Sequence, residues 1–313
     1  MARATVWKAG LVISVFREKA AVQEARPVLV VVYQFGKVAS TALTEALNGA
    51  PGIRAVQSHF LGEDALKKML PLLLNGEDSD HFYRHRMGQF QANLELTRQI
   101  NAIRAGRSPE RLVILSLSRE PWGWFRSALL QDFAGHLPVL RALAVDRLED
   151  LSLGLQRFFD LSADIIAERG GIDPLLDDIR AGRFHLPNHV GHAGFGQLFF
   201  TLIRPFGWFQ DHFEKATGLG LEGFQPQGAV WRAERPRMTC LVVRYEDLGS
   251  ALGPALHGIG LPELSLPRRN VGAAKPDAER LGAAFAACNG DVLRTAFRAT
   301  RYARFFGYDQ PGG

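Results

Sequence analysis

Lys37 lies within Gln34-Phe35-Gly36-Lys37-Val38-Ala39-Ser40-Thr41, directly after the β-branched run Val28-Leu-Val-Val-Val-Tyr33. A strand that empties into a short glycine-containing turn and then a helix aims backbone N–H groups at an anion, and the helix N-terminus favours negative charge there. Lys37 adds a mobile cation to that cradle. The magnesium-nucleotide pattern G-x-x-x-x-G-K-[ST] is not met, because Val31 stands at its first Gly and Val38 at its hydroxyl position, which disfavours a magnesium NTPase. Alone, the loop also fits an ordinary strand-to-helix turn with an exposed lysine.

A second constellation follows the run Leu112-Val-Ile-Leu-Ser-Leu117, where Ser118-Arg119-Glu120-Pro121 passes from strand to helix with Pro121 near the first helical position. Arg119 and Ser127 stand eight residues apart. Helical side chains lean toward the N-terminus, so an arginine at the strand end and a serine about two turns on can address one phosphate. In a parallel sheet both loops belong to the carboxyl rim, and two separated phosphate sites there imply one nucleotide. His59 ends a further strand on that rim. Its imidazole suits a general base for an attacking hydroxyl, with a capped or buried structural histidine as the competing reading. His81 and His85 are weaker rivals.

Three strands must position these groups. Val28 to Tyr33, Ile53 to Phe60 and Leu112 to Leu117 carry β patterning, and helices are expected from Ser40 to Leu47 and from Phe90 to Arg104, giving βαβαβ. From Val139 to Arg169 apolar residues recur every three or four positions, predicting one long helix or two in series broken at Gly154. Residues 170–204, rich in Gly, Pro and His, read as an irregular excursion. A helix is expected over Trp208 to Thr217, ending at Gly218. The strand Cys240 to Tyr245 precedes Glu246-Asp247, whose charges suit a helix N-terminus. The fold class expected is α/β, a P-loop-type doubly wound, mainly parallel sheet flanked by helices. Residues 1–26 form an extension, and 27–310 one domain with a helical or irregular insertion at about 138–204.

With 37 Lys+Arg against 32 Asp+Glu, the net charge is +5. That favours anionic ligands, but the sequence lacks the concentrated basic tracts of a nucleic-acid binder. Cys240 and Cys288 are too few for a disulfide framework or structural zinc, which fits a reducing compartment. No apolar stretch approaches a membrane span, and Met1 to Lys8 does not read as a secretion signal, so a cytoplasmic location is expected. The sequence leaves the oligomeric state open.

The two phosphate motifs together resemble the sulfotransferases, and the wording Tyr33-Gln-Phe-Gly-Lys-Val-Ala-Ser-Thr41 with Ser58-His-Phe-Leu61 is similar to a bacterial group described as capsular-polysaccharide or carbohydrate sulfotransferases. The similarity continues through Trp208-Phe-Gln-Asp-His-Phe-Glu214, Tyr245-Glu-Asp-Leu248, Asn270, Lys275 and Arg301-Tyr-Ala-Arg-Phe-Phe306, spanning about 27–308. Ala39 departs from the usual Gly of the loop, and Pro276 from an aromatic. The resemblance implies 3′-phosphoadenosine 5′-phosphosulfate as donor, no metal, and a hydroxylated acceptor, most simply a carbohydrate. Gly36, Lys37, Val38, Ala39, Ser40 and Thr41 would hold the 5′-phosphosulfate, Arg119 and Ser127 the 3′-phosphate. Lys37 would stabilise the leaving oxygen and His59 would act as base. A small-molecule kinase with an aberrant loop and a non-catalytic nucleotide- or glycan-binding protein are the alternatives.

Other features read more plainly. His185, His189 and His192 have helix-like spacing, but Pro187, Gly191 and Gly194 break a helix and no carboxylate or thiolate lies near, which argues against a metal. Gly191-His-Ala-Gly-Phe-Gly196 follows no clear strand and is not a dinucleotide fingerprint. Arg294, Arg298, Arg301 and Arg304 would form a basic stripe on one C-terminal helix, solvent-facing by default and otherwise touching an anionic acceptor or the donor. Trp122, Trp124, Trp208 and Trp231 read as core or rim residues before they read as sugar-stacking ones.

Overall fold

Every residue of Val28–Tyr33 (β1) is buried, so the strand needs cover on both faces, the setting of a central strand in a parallel sheet. The computed structural model describes residues 27–36, 38–67, 80–144, 150–186, 193–264 and 277–310, without the side chains of 80–86 and 193. In it β1 pairs in parallel with Ile53–Ser58 (β2) on one side and Arg111–Ser118 (β3) on the other. Gln225–Gln227 (β4) and Val230–Arg235 (β5) form a hairpin, and β5 pairs antiparallel with Met238–Arg244 (β6), which runs parallel to β3. The result is an α/β architecture with a six-stranded mixed sheet in the order β2-β1-β3-β6-β5-β4, flanked by helices. From β1 the chain moves to β2, and from β3 it reaches β6 on the opposite side. The order therefore reverses between β1 and β3, where open α/β sheets leave a crevice beyond their carboxyl ends.

Ser40–Asn48 (α1) follows the first loop, Asp80–Arg104 (α2) leads into β3, and Pro121–Gln131 (α3) follows it. Phe133–Leu143 (α4), Leu151–Glu168 (α5), Ile172–Arg180 (α6) and Ala193–Trp208 (α7) then build a helical layer. The expected break at Gly154 is corrected: the helices part between Leu143 and Leu151, and Gly154 lies inside α5. A Cβ there would stand 2.0 Å from the Leu140 carbonyl oxygen, so this glycine serves the crossing of α4 and α5.

The irregular excursion expected over 170–204 is corrected more fully, because α6 and α7 occupy much of it. Phe195, Leu198, Phe199, Leu202, Ile203 and Phe206 are buried at helical spacing along α7. Gly194 weakens the local signal for a tertiary reason, since a Cβ there would meet Val139 at 2.2 Å. After α7 the backbone widens into a π-helix over Phe209–Glu214, then a last turn at Lys215–Thr217 ends at Gly218 with φ 72°. Leu248–His257 (α8), Ala278–Ala287 (α9), Asp291–Arg298 (α10) and Arg301–Phe306 (α11) complete the chain. Buried apolar residues from Val28 to Tyr308 belong to one core cluster. Among the described residues no helix is long and apolar enough to cross a membrane. The N-terminal extension 1–26 lies outside the described residues.

Candidate functional site

The loop after β1 bends through two left-handed residues, Gly36 at φ 87° and Ala39 at φ 61°. Nothing would crowd a Cβ on Gly36, so its backbone angle alone calls for glycine. Ala39 holds the same region with a methyl group, at a cost of about 1–2 kcal/mol. Fully buried Val38 pins the loop to the core, while Lys37 lies outside the described residues.

Ala39 is also the residue that caps α1, and its methyl group cannot accept from the helix's first amides. Ser, Thr, Asp or Asn would ordinarily fill that role, so the N-terminal turn at Ser40 and Thr41 keeps its donors and the positive end of the helix dipole for an external anion. Gly36 differs from that expectation. Its N–H donates to the Oε1 of buried Gln34 beneath it. Gly36 thus shapes the loop, and the donors for an anion lie further along.

His59 sits beside the loop because β2 pairs in register with β1, placing Ser58 opposite Tyr33. Its Nδ1 lies 3.0 Å from the Gln34 carbonyl oxygen, and its Nε2 lies 3.1 Å from the Gln57 amide nitrogen. A carbonyl can only accept, so Nδ1 carries the proton and Nε2 presents a lone pair, here accepting from Gln57. Thr41 Oγ1 donates to Gln57 Oε1 at 3.5 Å, closing a chain from the helix N-terminus to the imidazole. His59 is exposed, as a residue meeting a substrate must be. The side chains of His81 and His85 lie outside the described residues.

The loop after β3 is built with more fixed partners. Tyr302, buried in the core, accepts the Arg119 N–H and donates to the Arg119 carbonyl, both at 2.9 Å. Burial raises the Tyr302 phenol well above its ordinary range, which keeps the proton its donor role requires. The Arg119 guanidinium lies over the Tyr245 ring at 4.3 Å from its centroid, a cation–π contact that orients it. Glu246 accepts from the Glu120 N–H at 2.9 Å and from Tyr308 at 2.8 Å. Glu246 and Asp247 stand in the turn that leads into α8, as expected, and Glu246 also ties that turn to the loop after β3. Glu120 in turn caps α3 through Trp122 N–H at 2.9 Å and Gly123 N–H at 2.6 Å.

The two loops meet through Trp124, whose Nε1 donates to the Gly36 carbonyl at 2.9 Å. Ser127 lies three positions after Trp124 on α3, close to one helical turn away, and is half-buried. Arg119 thus stands at the end of β3 and Ser127 on the helix that follows it, while the start of α1 stands at the end of the neighbouring strand β1.

Several partners escaped the sequence reading. Tyr245 and Tyr302 act through tertiary contacts, whereas Gln34 and Gln57 act on residues two positions away, at Gly36 and His59, and are common residue types with no signal of that role in sequence. Among the described residues the other tryptophans are packed inside: Trp208 and Trp231 are buried, and Trp122 packs on Phe159, Phe285 and Phe297.

The single basic stripe is corrected, because the chain breaks between α10 and α11. Arg294 lies over the Trp122 ring, whereas Arg301 pairs with Asp173 and Asp177, and Arg304 lies 4.0 Å from Asp173. Among the described residues no three His, Cys, Asp or Glu side chains are placed to hold a metal. His185 is exposed, and His189, His192, Asn270, Lys275 and Pro276 lie outside the described residues. Comparison with family models, with curated proteins and with solved structures finds no match.

Proposed function

We propose that this chain is a sulfotransferase of the P-loop-like, doubly wound kind. It would move a sulfuryl group from 3′-phosphoadenosine 5′-phosphosulfate to a hydroxyl, most simply on a carbohydrate. The observation that carries the reading is the uncapped N-terminus of α1, reached through left-handed Gly36 and Ala39 and standing across the β1/β3 crevice from Arg119. One nucleotide with phosphates on both its 5′ and 3′ sides fits two such sites.

The donor supplies the activated sulfuryl group. The amides at Ser40 and Thr41 hold its 5′ end, and Arg119 with Ser127 holds the 3′-phosphate by charge-assisted hydrogen bonds. Lys37 is assigned to the oxygen on which charge grows as the S–O bond breaks. His59 takes the acceptor proton at Nε2 while the Gln34 carbonyl fixes the ring through Nδ1–H. Gln57 must release Nε2 for this step, and Thr41 offers its amide oxygen an anchor.

Incubation with sulfur-labelled donor and a panel of glycans, with and without EDTA, tests the proposal. Labelled glycan formed equally in both conditions supports it. A strict magnesium requirement with ATP as donor would establish the kinase reading, and nucleotide binding without product the non-catalytic one.

A further inference from the structure

Beside the first loop lies a cavity of about 360 Å³, walled by one face from each of three helices. α3 contributes Trp124, Ala128 and Gln131, and α7 contributes Gln197, Thr201 and Arg204. Asp132 and His136 come from the start of α4, and Phe35 of the loop completes the wall. The spacings i, i+4, i+7 on α3 and on α7 place each set on one stripe. Apart from Phe35, Trp124 and Ala128 the lining is polar, unusual for a space between packed helices that serves only packing.

Its cation is unpaired with its carboxylate. Arg204 is exposed toward solvent at this concave surface, yet the protein around it desolvates the guanidinium enough to lower its pKa. Among the described residues it has no ion-pair partner within 4.0 Å. His136 is buried, and desolvation together with the nearby Arg204 charge pushes its pKa down against the opposing pull of Asp132. Its Nε2 lies 3.8 Å from Asp132, the one carboxylate of the cavity. A lone cation kept partly desolvated beside hydroxyl and amide groups is costly unless something else meets it. Phe35 and Trp124 belong to this wall and to the loop together, since Trp124 donates to the Gly36 carbonyl.

We infer that this cavity is the acceptor subsite, and that it selects an acceptor bearing a carboxylate close to the hydroxyl to be modified, as a uronic acid residue of a glycan does. Arg204 pairs with the carboxylate, while Gln131, Gln197 and Thr201 offer hydrogen bonds to sugar hydroxyls. Trp124 and Phe35 form the apolar edge next to the donor loop. The inference rests on the sulfotransferase reading for what happens to the acceptor, but not for its binding.

The test is calorimetric titration of the full chain with an unsulfated oligosaccharide of alternating uronic acid and N-acetylhexosamine, and with the same oligosaccharide after carboxyl reduction. The acidic sugar should bind about tenfold or more tightly than the reduced one, the effect of one charge-assisted pair. Arg204→Gln should erase the preference, and Arg204→Lys should restore part of it. Asp132→Asn removes the opposing carboxylate and should tighten binding of the acidic sugar, a gain that misfolding cannot mimic.

Equal affinity for the two sugars, or an unchanged preference in Arg204→Gln, overturns the inference. Binding of 3′-phosphoadenosine 5′-phosphate is measured in the same samples. Its loss with the sugar preference intact removes the donor reading and leaves the subsite standing.

Discussion

The indole N–H of Trp124 reaches 2.9 Å across the β1/β3 crevice to the carbonyl of Gly36, joining the helix after one loop to the backbone of the other. Trp124 is 1% exposed, so its indole N–H has no ready access to water in compensation, while Gly36 is half-buried. Trp124→Phe keeps most of the ring volume and removes the donor. It should cost about 1 kcal/mol of stability, the usual net worth of a hydrogen bond to a half-buried acceptor. The same change should weaken 3′-phosphoadenosine 5′-phosphate binding. Urea unfolding and calorimetry check the two effects, and wild-type values for both would detach Trp124 from the loop.

Ala39 makes a prediction of opposite sign. Its φ of 61° is a region where a Cβ costs energy, and glycine removes that cost while giving the unfolded chain more freedom. The first effect is the larger, so Ala39→Gly should stabilise the fold by about 0.5–1 kcal/mol. Ala39→Val should destabilise it. A fall in melting temperature for the glycine variant would be incompatible with the left-handed turn.

Gly154 reverses the usual rule for helix interiors. Replacing an exposed helical glycine by alanine gains about 1 kcal/mol through propensity. Here the new methyl would stand 2.0 Å from the Leu140 carbonyl oxygen and force α4 from α5. Gly154→Ala should lose more than about 2 kcal/mol, as overpacking does. Chemical denaturation measures it, and a stabilised variant would contradict the close crossing.

These two positions also show what the sequence could and could not disclose. β1 was legible because a strand covered on both faces is apolar at every position, and α1 because its start after the loop and its stop at Asn48-Gly49 are local signals. Gly154 misled because a glycine chosen for a helix crossing looks the same in sequence as a helix breaker. α7 was hidden similarly, because Gly194 in its first turn is set by its close approach to Val139. At the candidate site, Arg119, Ser127, His59 and the loop stood out by type and spacing. Tyr245 and Tyr302, which aim Arg119, come from other elements and carry no spacing signal, while Gln57 lies only two residues from His59 and shows no role until its side chain is placed.

The hydrogen-bonded chain around His59 separates base chemistry from scaffold. His59→Ala should lower sulfuryl transfer by about 100-fold or more, within the span general-base groups supply, with 3′-phosphoadenosine 5′-phosphate affinity near wild type. Gln57→Ala frees Nε2 and should spare activity far more than the histidine change does. Single-turnover kinetics with labelled donor distinguish the two variants. Transfer near wild type in His59→Ala would move the base elsewhere, and Glu120 is a poor successor because both its carboxylate oxygens cap α3.

The claim on which the functional account turns is that one nucleotide bridges the uncapped end of α1 and Arg119. Calorimetric titration with 3′-phosphoadenosine 5′-phosphate and with adenosine 5′-phosphate tests it directly, because the two ligands differ only in the 3′-phosphate. The first should bind at least about tenfold more tightly, the worth of a charge-assisted phosphate contact, and Arg119→Ala should bring the two affinities together. Equal affinities in the unaltered protein would contradict the account.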